Sequence, residues 1–152
     1  MVLIIVLAIV AGMALSAQAA INGQLGERVG VVQSALLTFT VGTVVTALLI
    51  FFFEPPYQAT LLTVPKWQLA GALFGIVYMV VMVAAIPRVG VAIATVATIL
   101  GQMVMSLVID TLGWLDNAPI ELNYWRLAAM LAVACALVCI YLANQQQEHV
   151  NE

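Results

Sequence analysis

The sequence predicts an all-α integral membrane protein with five transmembrane helices, on three observations. Hydrophobic residues make up 65% of 152 and charged residues only 7%. Five apolar runs are each close to or above the roughly 20 residues a spanning helix needs. The basic residues Arg28, Lys66, Arg88 and Arg126 stand at or beside the breaks between runs, balanced two against two across the membrane once the chain is threaded through. The Lys/Arg bias that sets orientation is therefore missing. The chain is expected to insert both ways up and to pair as an antiparallel dimer. Continuously apolar runs argue against a β-barrel, whose strands alternate. The runs fill most of 1–152, which reads as a single five-helix transmembrane domain in the lipid bilayer.

The first segment is Val2–Ile21. Ala17-Gln18-Ala19 has the form of a cleavage site, but no Lys or Arg precedes the apolar run, and a signal peptide carries a positive n-region. The second segment, Val31–Phe53, is stopped by Pro55 and Pro56, and Pro65 closes the following loop. The third is Trp67–Ile86. Pro87 and Gly90 then bracket Arg88 in a tight turn into the fourth, Val91–Gly113, so that the two form an antiparallel hairpin. The fifth is Tyr124–Leu142. Short connections favour antiparallel neighbours. No internal repeat is evident, and an odd number of helices suits one copy of a repeated unit.

Trp67, Trp114 and Trp125, with Tyr57 and Tyr124, all fall at one face of the threaded chain. Aromatic rings anchor in the headgroup layer, and an inverted partner would supply the opposite belt. Small residues mark expected helix contacts: Ala8, Gly12, Ser16 and Ala20 in the first segment, Thr38, Gly42 and Thr46 in the second, Gly71 and Gly75 in the third.

Polar side chains in hydrocarbon are costly unless partnered, so they are the candidate site residues. Thr98, Gln102, Ser106 and Asp110 recur every four residues and form one seam along the fourth segment. Two readings compete: an interhelical hydrogen-bond seam at about 0.6 kcal/mol per contact, or one wall of a solute pathway. Gln102 falls near the midplane. Asp110 lies about 12 Å away at 1.5 Å per residue. It is a candidate proton or cation site, because charge inside a membrane is expensive; the other reading is that it reaches interfacial water. Gln18 and Asn22 share a face of the first segment and are read either as further lining of the pathway or as an amide pair that ties helices together.

No catalytic constellation is visible. His149 sits in the polar tail "NQQQEHVNE", and there is no HExxH, paired nucleophile or phosphate-binding glycine loop. An enzyme is not expected, nor a cofactor or metal. With a formal net charge of −3 and no basic patch, nucleic acid is not an expected partner. Cys135 and Cys139 are read as small buried packing residues.

The segments "AQAAINGQLGERVG", "WQLAGALFGIVYMVV", "IPRVGVAIATVATILGQMVMSLVIDTLGWL" and "RLAAMLAVACALVCIYLA" resemble the YdcZ-type family of the drug/metabolite transporter superfamily. The most specific elements are Gln18 with Asn22, and Gly101-Gln102 followed by Asp110 and Gly113. The resemblance implies a bacterial cytoplasmic (inner) membrane location. It also implies one five-helix half of a ten-helix inverted-repeat fold, completed by an identical chain or an inverted sister subunit. Small multidrug exporters are similar in principle but carry a coupling glutamate in helix one; this chain has no acid there. The expected function is secondary transport, as an exporter of a small organic solute working by alternating access. A dual-topology channel and a non-transporting membrane partner or scaffold subunit are the alternatives.

Overall fold

The computed structural model describes residues 1–55 and 63–151, with side chains described to residue 146. Pro56, Tyr57 and the side chain of His149 lie outside the described residues. The described regular structure is helical: α1 (Val2–Val29), α2 (Val31–Phe53), α3 (Gly71–Leu112) and α4 (Tyr124–Asn151), with 3-10 turns at Lys66–Ala70 and Trp114–Asp116. Among the described residues four helices are long and apolar enough to cross a membrane: Val2–Val29, Val31–Phe53, Lys66–Leu112 and Tyr124–Gln146.

The expected third and fourth segments lie within the single run Gly71–Leu112, which is two helices meeting at a break at Gly90 with no separate loop between them. The reason is local. Pro87 is accommodated inside α3, and Gly90 alone leaves helical backbone, at φ 80 and ψ 161. α1 and α2 are also separated by one residue, Gly30, at φ 97 and ψ 148. This region of backbone space is closed to residues with a Cβ, so each break needs glycine. Both glycines sit in the same run, Arg-Val-Gly-Val, at Arg28–Val31 and Arg88–Val91. A short recurrence thus exists where the sequence pattern suggested none, and the backbone treats both copies alike.

Other boundaries follow the residues present. Glu54 is extended (φ −94, ψ 127), as the residue before Pro55 must be, and α2 stops there. Gly113 takes a left-handed conformation at φ 63 and ends α3. The Ile120 N–H returns to the Asp110 carbonyl at 2.8 Å, satisfying one of the carbonyls orphaned at the helix end. Asn123 caps α4, its Oδ1 accepting the Trp125 N–H at 3.1 Å.

The chain divides into two compact units, Met1–Arg88 and Val89–Glu152. In the first, the chain doubles back at Gly30, and α1, α2 and residues 71–88 of α3 meet around Ala35, Met79 and Val83, with Val31 and Val80 alongside. The face of α1 that enters this junction carries Ala19, Asn22, Gly23 and Gly26. A Cβ at Gly23 would lie 2.8 Å from Ile86 Cγ2, and one at Gly26 would overlap Val83 Cγ1. The close approach expected of small residues is therefore real at Thr38, which bonds to Asn22 of α1, but its tightest points are glycines not singled out for it. Gly12, Gly42 and Gly71 have nothing within 4 Å of a Cβ position, and Gly75 is approached only by Phe39, at 3.9 Å. Contact concentrates near the Gly30 reversal; residues 2–15 and 39–53 stay exposed. In water that much apolar surface would drive association, whereas hydrocarbon solvates it.

In the second unit, α4 runs back along residues 91–112 of α3. Asp110 meets Arg126 at one end. Towards the other, Ile93 and Ala97 share a cavity of about 270 Å³ with Leu137, Val138 and Tyr141. Cys135 and Cys139 are exposed rather than buried, because α4 meets its neighbour through other positions. Trp114, Tyr124 and Trp125, all exposed, cluster at the Asp110–Arg126 end.

Candidate functional site

Two polar arrangements stand out, one in each unit. In the first unit Asn22 is buried where three helices meet. Its Oδ1 accepts the Thr38 hydroxyl at 2.8 Å, and its Nδ2 donates to Met79 Sδ at 3.5 Å. Its backbone carbonyl accepts the Ser34 hydroxyl at 2.9 Å. One residue of α1 thus holds both α2 and α3. The amide meets the requirement that buried polar groups be paired, and these bonds fit the reading in which Asn22 ties helices together. Gln18, one turn earlier, is exposed.

The second arrangement is an open groove of about 370 Å³ between residues 99–107 of α3 and the start of α4. It is lined by Ile99, Gln102, Met103, Ser106, Leu107, Arg126, Ala129 and Met130. Gln102 and Ser106 reach it from the predicted seam. Their spacing of four keeps them on one face, with Ile99 completing the row. Ligand sites of this kind are mostly apolar, with a few placed polar groups, and run from about 300 to 1,000 Å³. This groove has a carboxamide, a hydroxyl and a guanidinium among hydrocarbon walls.

Asp110 borders the site through its partner. Arg126 Nη1 donates to Asp110 Oδ2 at 2.8 Å, with the side chains 42% and 23% exposed respectively. The carboxylate expected as a proton or cation site is thus already matched by a cation of the same chain. Thr98 lies on the same seam, partly buried, outside the groove lining. The structure brings together Gln102, Ser106 and, through Arg126, Asp110; Gln18 and Asn22 belong to the other unit.

Two residues escaped the sequence reading. Arg126 was legible only as a charge flanking a span, and its place on the groove depends on how α4 packs. The Thr95 hydroxyl is buried with no hydrogen-bond partner among the described residues. Several other threonine hydroxyls return to their own helix, as Thr111 does to the Leu107 carbonyl at 2.7 Å.

No curated protein and no solved structure matches this chain. A family model described as "Putative inner membrane exporter, YdcZ" matches residues 3–139. That match reaches all four membrane-length helices found among the described residues and covers the groove, so this chain belongs to the YdcZ family.

Proposed function

We propose that this protein is a secondary transporter that exports a small organic solute, and that the α3–α4 groove is its binding site. The observation that carries the reading is a polar groove in otherwise apolar helices: Gln102, Ser106 and Arg126 converge on about 370 Å³. Transporters place their sites near the bilayer midplane, where helices are broken or packed around polar groups. Gln102 and Ser106 would hold the solute by hydrogen bonds, and the Asp110–Arg126 pair would set the electrostatics of the mouth.

The chain would cross the membrane five times. Support comes from Lys66–Leu112, an apolar element of 47 residues. Unbroken, it would be about 70 Å long at 1.5 Å per residue, against a hydrocarbon core of about 30 Å. Gly90 gives it a break near its middle. Two copies in opposite orientations would then form the complete carrier and exchange inward-open and outward-open shapes. The balanced basic residues and the one-sided tryptophans support that pairing.

The test is uptake into inverted vesicles across a broad solute panel, wild type against Gln102→Leu. The expected result is saturable, concentrative uptake that falls at least tenfold in the variant at equal expression and assembly. Fast, non-saturating flux would make the protein a channel, and no flux with any solute would leave a scaffold.

A further inference from the structure

The groove carries its charge on one residue, and that charge is positive. Arg126 lines it, while Asp110 lies behind Arg126 and is not part of the lining. The remaining lining is either hydrocarbon, from Ile99, Met103, Leu107, Ala129 and Met130, or neutral and polar, from Gln102 and Ser106. We infer that the groove takes a single-chain anionic amphiphile, whose acidic head displaces Asp110 from Arg126 and whose tail lies against the methionine and leucine walls. This rests on the groove being the solute site and names the class of solute.

Three features select this chemistry. A guanidinium has five N–H donors in a planar fork suited to two acceptor oxygens at once. The contact with Asp110 engages Nη1, so a carboxylate or phosphate that fills the fork exchanges a single bond for a bidentate one. The exchange is made feasible by the exposure of the pair, 42% and 23%; a sealed ion pair would not open without stranding a charge. A cationic head meets the wrong sign at the lining, and a neutral solute leaves the Asp110–Arg126 pair as it is and gains nothing from the charge. The length also fits. From Ile99 to Leu107 the lining rises about 12 Å at 1.5 Å per residue, room for most of one alkyl chain with its head at the Arg126 end. A volume of about 370 Å³ sits at the small end of ligand sites and suits one chain better than two.

Asp110 is then a built-in competitor. It holds Arg126 neutralised when the groove is empty and reclaims it when the head leaves, which favours release over permanent binding.

The experiment measures binding of brominated dodecanoate to the full chain in phosphatidylcholine nanodiscs, read as the saturable quenching of tryptophan emission above that caused by partition into lipid. Brominated dodecyltrimethylammonium is the cationic control. Saturable quenching is expected with the carboxylate and not with the cation. Arg126→Gln should weaken binding at least about tenfold, as loss of charge-assisted hydrogen bonds does, and Arg126→Lys should fall between. Asp110→Asn should tighten binding, an opposite change that a folding defect does not produce. Equal binding of both probes, or unchanged affinity in Arg126→Gln, overturns the proposal. Loss of the saturable signal when phosphatidylglycerol is added to the bilayer would assign the site to a two-chain lipid and equally overturn it. Binding is read without transport, so the two readings fail separately. Dodecanoate that binds but is never carried sinks export alone, whereas another solute carried without dodecanoate binding sinks the solute class alone.

Discussion

Arg126 Nη1 lies 2.8 Å from Asp110 Oδ2, joining the start of α4 to the end of α3 at the rim of the groove. Both side chains are partly exposed, so the pair is a modest brace. Exposed ion pairs contribute about 0–1 kcal/mol. A double-mutant cycle with Asp110→Ala and Arg126→Ala should therefore give a coupling energy below about 1 kcal/mol in reversible unfolding. A coupling of several kcal/mol would mean that the pair is sealed from water and that the groove is closed at that end.

Asn22 should behave oppositely, as a structural residue. Asn22→Ala removes the bonds to Thr38 and Met79. Interhelical bonds in membranes average about 0.6 kcal/mol each, so a loss of about 1 kcal/mol is expected. Thermal stability should drop by a few degrees, with transport per folded molecule intact. A variant of normal stability that has lost transport would place Asn22 in the solute path instead.

The glycines of α1 divide into two classes that alanine substitution separates. Gly26→Ala drives a methyl into Val83, and Gly23→Ala drives one into Ile86. Overpacking of this kind costs about 1–3 kcal/mol. Gly12→Ala meets nothing within 4 Å and should be neutral or slightly stabilising, since alanine favours helix. Val83→Ala combined with Gly26→Ala should restore part of the loss. If Gly12→Ala proves as damaging as Gly26→Ala, then the outer half of α1 is buried against another chain.

Orientation should be adjustable by few charges. With Arg28 and Arg88 balanced against Lys66 and Arg126, two lysines added beside Lys66 should shift reporter fusions from mixed to single orientation. Fusions after residues 30, 60, 90 and 118 should alternate sides in each orientation if Gly90 marks a reversal. A wild-type chain already inserted one way would require an oppositely oriented sister subunit.

The sequence by itself determined the membrane class, the position of the apolar helices and the residues that interrupt them. These depend on local quantities: hydropathy over about 20 residues, the missing N–H of proline and the missing Cβ of glycine. α2 lies at Val31–Phe53 as its hydropathy dictates, and Gly30 and Gly90 sit where only glycine fits. The seam through Gln102 and Ser106 was legible too, because a spacing of four is itself helical geometry. Tertiary structure alone decided which polar residues meet. Asn22 reaches Met79, 57 residues away, and Asp110 finds Arg126 only because α4 folds back along α3. It also decided that Gly23 and Gly26, not Gly12, take the close contact, and that Cys135 and Cys139 face outward. A periodic pattern places a residue on a face of its own helix; it carries no distance to a helix whose position is set by packing.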